Sequence, residues 1–103
     1  MVPISFFTTG NVFRNAEFRC RARRHDQQLV HHRVSIRLVQ NELACAIDCL
    51  IYGWGCKSYN YKHNYDSASN GDNLCELNSS SQGQHPSSLI QNRGFQYCER
   101  VSF

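Results

Sequence analysis

The stretch from Asn41 to Lys62, NELACAIDCLIYGWGCKSYNYK, decides the fold, because its pattern changes from helical to extended halfway along. The side-chain oxygen of Asn41 can cap a helix. After it, apolar residues recur at helical spacing, at Leu43, Ala46, Ile47 and Leu50. We therefore predict a helix that buries Leu43, Ile47 and Leu50 against a sheet. Gly53 and Gly55 end this helix.

The second half of the same stretch is predicted to be a strand. Its residues alternate, with Cys56, Ser58 and Asn60 on one face and Lys57, Tyr59 and Tyr61 on the other. Farther out, we predict strands at 29–34, 74–77 and 94–101, a loop at 65–72 and a helical turn at 89–93. The predicted fold class is α+β, with one α-helix packed on a small twisted antiparallel β-sheet.

Length and cysteine content set limits on the protein. A chain of 103 residues predicts one domain, and a domain of this size has a limited core. Its hydrophobic content of 41% excludes a disordered chain, and no apolar run approaches the roughly 20 residues that span a bilayer. Six cysteines, an even number, indicate three disulfides that supplement the core.

Disulfides also indicate the compartment, since they persist in oxidising surroundings. We expect a secreted or extracellular protein; a cytosolic protein with free thiols is the alternative. The triplet Asn78-Ser79-Ser80 matches the N-glycosylation pattern and predicts a glycan on Asn78. Residues 1–10 lack the basic and apolar regions of a signal peptide.

Positive charge is concentrated near the N-terminus. Residues 14–37 hold seven Arg against one Glu and one Asp, a local charge of +5 in a chain of +3. In an extended strand Arg19, Arg21 and Arg23 share one face, and Arg24 lies on the other. Arginine forks bind sulfate bidentately, so we predict a site for sulfated, heparin-like polysaccharide. Nucleic acid has the same electrostatics but belongs to another compartment.

The alternative for these arginines is a solvated basic surface, or ion pairs with Glu17, Asp26 and Glu99. Aromatic residues crowd the helix end and the strand after it, and most of them are expected in the core. Exposed ones can stack on sugar rings or anchor a protein partner, and we single out Trp54 and Tyr65 for this role.

Catalytic and metal chemistry find little support. Zinc patterns need Cys or His pairs two to four residues apart on both sides of the site, and Cys45 and Cys49 have no such pair downstream. Glu42 and Asp48 fall on different faces of the predicted helix. No nucleophile elbow, P-loop or zincin motif occurs. We expect no catalysis, no metal and no cofactor; an enzyme with a reactive thiol is the alternative.

Several spaced motifs resemble a known family. They are a helix with two cysteines four apart, then Cys56-Lys-Ser-Tyr-Asn-Tyr61, then Cys75-Glu-Leu77, then Gly94-Phe-Gln-Tyr97. Their order is similar to that of PAN/apple domains over roughly residues 20–99. The resemblance implies a domain at 12–103 after an N-terminal extension at 1–11.

Six cysteines allow fifteen pairings, which spacing alone does not resolve. The resemblance implies Cys49–Cys56, Cys45–Cys75 and, as in the apple-type variant, Cys20–Cys98. It also implies adhesion through binding of extracellular proteins or glycans, with no catalytic residues. The rival hypothesis is a free-standing secreted effector, such as a toxin or a peptidase inhibitor.

Overall fold

A computed structural model describes residues 20–64 and 72–101. They form one α-helix, a short 3-10 turn at Pro86–Ser88 and a five-stranded antiparallel sheet, which confirms the predicted fold class. The elements in chain order are β1 (Cys20–Leu29), β2 (Arg33–Val39), α1 (Glu42–Tyr52), β3 (Ser58–Lys62), β4 (Asn73–Asn78) and β5 (Leu89–Arg100). The order across the sheet is β1-β5-β3-β4-β2, so β1 and β2 lie at opposite edges. No helix in the described part of the chain is long and apolar enough to cross a membrane.

The helix begins and ends as the sequence predicts, but it buries a different face. The side-chain oxygen of Asn41 accepts a hydrogen bond from the Ala44 amide at 2.8 Å. At the other end, Gly53 adopts a φ of +91°, a left-handed conformation that favours glycine.

The predicted burial of Leu43, Ile47 and Leu50 is wrong. Leu43 is exposed, and Ile47 and Leu50 are half-buried. The buried helix residues are Cys45, Ala46 and Cys49. Two disulfides account for the difference, because they turn the cysteine face of α1 toward the sheet.

All three predicted disulfides are present. Cys20 bonds to Cys98, Cys45 to Cys75 and Cys49 to Cys56, with Cα atoms 5.2, 5.5 and 5.4 Å apart. The first joins the start of β1 to the end of β5, and the second joins the helix to β4. The third ties α1 to the segment that enters β3.

The two faces of the sheet differ, as the alternation of Tyr59 and Tyr61 with Ser58 and Asn60 predicts. Cys56, which was predicted on the face of Ser58 and Asn60, lies instead on the helix side, because its disulfide bonds it to Cys49. One face packs under α1, and Tyr59 and Tyr61 belong to its core. The other residues of this cluster are Val39, Cys45, Ala46, Cys49, Cys56, Cys75, Leu77 and Cys98. Ser58 and Asn60 lie on the opposite face, where both are fully buried.

Asn60 organises that opposite face. Its side-chain oxygen accepts from the Leu29 amide at 2.9 Å, and its nitrogen donates to the Leu29 carbonyl at 2.9 Å and to Glu76 Oε1 at 3.0 Å. Leu29 is thereby held over β3, and residues 30–32 carry the chain from one sheet edge to the other. The strand predicted at 29–34 is therefore wrong, since it spans this connection. The turn predicted at 89–93 is also wrong, because those residues begin β5.

Candidate binding cleft

A cleft of about 230 Å³ lies where the start of β1, the end of β5 and the segment after α1 meet. It brings Arg21 of the basic stretch together with Trp54, the aromatic residue predicted to contact a ligand. Lys57, Glu99 and Arg100 complete its charged lining. One arginine of the basic stretch and one of the two aromatic residues predicted to contact a ligand thus meet in one place.

The indole of Trp54 is positioned by Arg100. The guanidinium of Arg100 lies 4.7 Å from the centroid of the indole, a cation–π distance. Its Nη1 donates to the carbonyl of Gly53 at 2.6 Å and to that of Cys56 at 3.2 Å. Arg100 therefore fixes the turn that presents Trp54, and the Trp54 residue stays 64% exposed.

Tyr97, which is fully buried, contacts Glu99 of the cleft lining. Its phenol oxygen accepts from the Gln82 amide at 2.8 Å and donates to Glu99 Oε1 at 3.4 Å. Burial raises the pKa of Tyr97 to about 12, so the hydroxyl keeps its proton near neutral pH. Glu99 is held in place and faces Arg21, with Arg21 Nε 3.8 Å from Glu99 Oε2.

The cleft combines an aromatic surface with excess positive charge. Arg21, Lys57 and Arg100 contribute three cations against the single carboxylate of Glu99. Arg100 is occupied by the backbone of the turn, whereas Arg21 and Lys57 are exposed. The ion pair of Arg21 with Glu99 is long, and the Arg21 side chain is 67% exposed, so its guanidinium remains accessible to a ligand. These groups suit an anionic ligand that has an apolar face.

Arg23 and Arg24, the other described arginines of the basic stretch, do not line this cleft. A register shift between Cys20 and Ala22 interrupts the alternation of β1 at Arg21. Arg23 instead reaches the helix, where its Nη2 lies 2.9 Å from Glu42 Oε2. The prediction that Arg21 and Arg23 share one face is therefore wrong for the described strand.

Arg24 is half-buried and donates to the carbonyl of Arg23 at 3.1 Å. Arg19 lies outside the described residues, as does Tyr65. The expected pairing of Arg21 with Glu99 is present, while Asp26 accepts from the Gly94 amide at 2.9 Å.

Arg23 takes part in a structural cluster on the helix side. Its partner Glu42 also accepts from the hydroxyl of Tyr59 at 2.8 Å. Burial and the neighbouring Glu42 raise the pKa of Tyr59 well above its ordinary value. The phenol stays protonated and ties β3 to the first turn of α1, so we interpret this cluster as structural.

The predicted glycan on Asn78 is incompatible with the folded domain. Asn78 is fully buried, and its amide nitrogen donates to Ser58 Oγ at 3.1 Å. β4, which contains Asn78, pairs with β2 on one side and with β3 on the other. A sequence triplet carries no information about such burial.

Within residues 20–64 and 72–101, no group of three or more His, Cys, Asp or Glu side chains converges.

Sequence reasoning missed Lys57 and Arg100 as cleft residues. Lys57 follows Cys56 directly, and the disulfide of that cysteine places it beside the helix end. Arg100 gave no sequence signal, because its role depends on β5 ending beside residues 53–56.

Comparison with known proteins agrees with this architecture. No curated protein and no solved structure matches the chain. The family model of the PAN domain matches residues 20–103, from the first residue of β1 onward. PAN domains are protein- and carbohydrate-binding modules, generally non-catalytic, and the disulfide-rich ones are typically extracellular. Because the match covers most of its length, the chain belongs to the PAN domain family.

Proposed function

We propose that this chain is a secreted, non-catalytic recognition module that binds sulfated polysaccharide in the cleft around Trp54. The observation that carries the proposal is the meeting of Arg21, Lys57 and the exposed Trp54 in one cleft. The predicted domain boundary between residues 11 and 12 lies outside the described residues and stays part of the proposal.

The chemistry of a sulfated sugar matches these groups one by one. The apolar face of a pyranose ring can stack on an indole, which offers a large flat surface at little entropic cost. Sulfate groups at the ring edge can then meet the guanidinium of Arg21, whose fork suits tetrahedral anions, and the ammonium of Lys57. A neutral sugar would use the indole alone, and an acidic peptide would use mainly the cations.

Trp54 makes the proposal directly measurable, because it is the single tryptophan of the chain. Its fluorescence reports on occupancy of the cleft. We expect a heparin-derived oligosaccharide to change the Trp54 emission saturably, and the same oligosaccharide without sulfates to do so far more weakly. Affinity should fall as salt rises, since exposed charges are screened over about 8 Å at physiological ionic strength.

Three variants test the site. The double variant R21Q/K57Q should weaken binding at least about tenfold, the effect expected when an energetically important contact is lost. It should also flatten the salt dependence of the affinity. Trp54→Ala should weaken binding similarly on a heparin column but leave the salt dependence in place. The matched control is Arg93→Gln, which removes an exposed arginine of β5 outside the cleft.

R93Q removes one charge and the double variant removes two, so a loss of binding free energy in R93Q that is half that of the double variant would mean diffuse charge attraction and would reject the cleft. Binding that is unaffected by removal of the sulfates would reject a polyanion and favour a neutral glycan. Absence of any glycan binding would favour a protein partner, the other ligand class of the family.

A further inference from the structure

The outer edge of β2 carries apolar side chains that the described residues leave uncovered. Val34 is 42% exposed, Ile36 52% and Leu38 57%. They alternate along the strand, and Ile36 and Leu38 lie on the sheet face away from α1. No strand in residues 20–64 and 72–101 pairs with this edge, so its outward backbone groups are free to pair with another strand.

The edge formed by β1 is built differently. It exposes Arg21, Arg23 and His25, and it is broken by two register shifts and by the positive φ of Asp26. Charges and bulges of this kind prevent strand addition. β2 has one shift near its first residue and pairs without interruption with β4 from Ser35 to Val39.

Charge does not protect β2 either, because its two arginines are already paired within the chain. Arg33 Nη1 lies 3.2 Å from Glu76 Oε2, and Arg37 Nη1 lies 3.8 Å from Asp48 Oδ2. A second strand that approaches this edge therefore meets little uncompensated positive charge.

We propose that β2 pairs antiparallel with β2 of a second copy of this chain, about a two-fold axis at Ile36. A two-fold axis perpendicular to the sheet keeps the same face up in both copies, so side chains opposite each other share a face. Centred on Ile36, the pairing sets Ile36 against Ile36 and Val34 against Leu38. Centred on Arg37, it would set the two Arg37 side chains against each other, which is destabilising.

The self-complementary register favours a second copy over another partner. The three exposed apolar residues then meet one another, Ile36 with Ile36 and Val34 with Leu38. Each arginine meets an uncharged residue, since Arg33 lies opposite the buried Val39 and Arg37 lies opposite Ser35. A contact between two seven-residue strands lies at the small end of interface sizes, where roughly 1,000 Å² marks stable association. The dimer is therefore weak and depends on concentration.

Sedimentation equilibrium of the 103-residue chain tests the association. We expect the average mass to rise from 11.9 kDa toward twice that value with increasing concentration. Ile36→Lys should abolish the rise, because it places two charges face to face. The matched control is Ile51→Lys, which changes the same residue type at a more exposed position on α1 instead of on β2.

Cysteine cross-linking tests the register. Residues directly opposite in antiparallel strands have Cα atoms about 4.5 or 5.5 Å apart, within the range that a disulfide spans. Ile36→Cys should therefore form a covalent dimer on mild oxidation, whereas Leu38→Cys and Ile51→Cys should not. Peptide mapping must show the three native disulfides intact in each variant.

Two results would overturn the proposal. The first is a monomer at every concentration; if the β2 amides of that monomer exchange slowly with solvent, another part of the same chain covers the edge. The second is equal cross-linking of I36C, L38C and I51C, which would mean random collision. Glycan binding by Trp54 is measured separately and is unaffected by any of these results.

Discussion

The two faces of the sheet are held by different forces. The face under α1 carries all three disulfides and the cluster of apolar and aromatic side chains. The opposite face also buries Leu74 and Tyr97, but it adds a set of buried polar groups, with Asn60 bonded to Leu29 and Glu76, and Asn78 bonded to Ser58. A domain of this size has a limited apolar core. Covalent bonds supplement that core on the face under α1, and hydrogen bonds supplement it on the opposite face.

Disulfides and buried hydrogen bonds contribute differently to the fold. A disulfide lowers the conformational entropy of the unfolded chain, so it stabilises the fold whatever the polarity of the groups around it. A buried amide stabilises one arrangement only, because leaving it unpaired is costly. We therefore expect the helix face to set most of the stability. The opposite face sets the path of residues 30–32.

The largest expected effect comes from the disulfide with the longest loop. Cys20–Cys98 closes 78 residues, and the chain-entropy model gives about 4.5 kcal/mol for a loop of that length. The double variant C20A/C98A should lower the free energy of unfolding by that order, measured by urea denaturation.

The comparison variant is C49A/C56A, whose loop spans only 7 residues. The same model gives about 2.4 kcal/mol for it. Equal losses in the two double variants would show that native contacts of the sulfurs, rather than loop length, determine the contribution.

The next effect concerns the hydrogen-bonded face. Asn60→Ala leaves the amide and the carbonyl of Leu29 without their side-chain partner in a buried position. We expect a loss of about 2–4 kcal/mol, because each buried unsatisfied group costs about 1–3 kcal/mol. Asn92→Ala, the control, removes one half-buried bond to Gln28 and should cost less than about 1.5 kcal/mol. Similar losses of unfolding free energy in the Asn60 and Asn92 variants would contradict a central role for Asn60.

The smallest effect is a pH dependence confined to the hydrogen-bonded side. His32, in the connection after Leu29, stacks on His85 with ring centroids 4.2 Å apart. Burial, with the nearby His85 and His31, lowers the pKa of His32 below its ordinary value of 6.5. The unfolded chain therefore binds this proton more readily than the folded domain, so stability is full above 6.5 and decreases as the pH falls below it.

The measurement is the urea midpoint as a function of pH, together with the titration of His32 by NMR. His85→Gln should raise the pKa of His32 and reduce the loss of stability in acid. His63→Gln, at an exposed position beyond β3, should change neither. A His32 pKa at or above its ordinary value would refute the stacking argument.

Local patterns predicted the helix cap, the alternation of Tyr59 with Asn60 and the fold class, because these depend on neighbouring residues. The family resemblance supplied the disulfide pairing. The buried helix face was not predictable from periodicity, because the stripe of Leu43 and the stripe of Cys45 lie side by side and only the disulfides choose between them.

The candidate site was predictable only in part. Arg21 and Trp54 were recognised separately, but their meeting depends on β1 pairing with β5 and on the register shift that redirects Arg21. Arg100 and the burial of Asn78 also follow from long-range pairing. Such contacts leave no mark in the spacing of residues along the chain.

The Cys20–Cys98 disulfide has a mechanical consequence. Its two Cα atoms are only 5.2 Å apart, although 78 positions separate them along the chain. A pulling force applied before Cys20 and after Cys98 passes through this single covalent link and leaves the sheet and helix unloaded. Reduction of the link exposes the folded segment to the load and lets it extend by roughly 250 Å, at about 3.3–3.6 Å per residue. Under tension, the oxidation state of this bond therefore determines whether the folded segment bears the load.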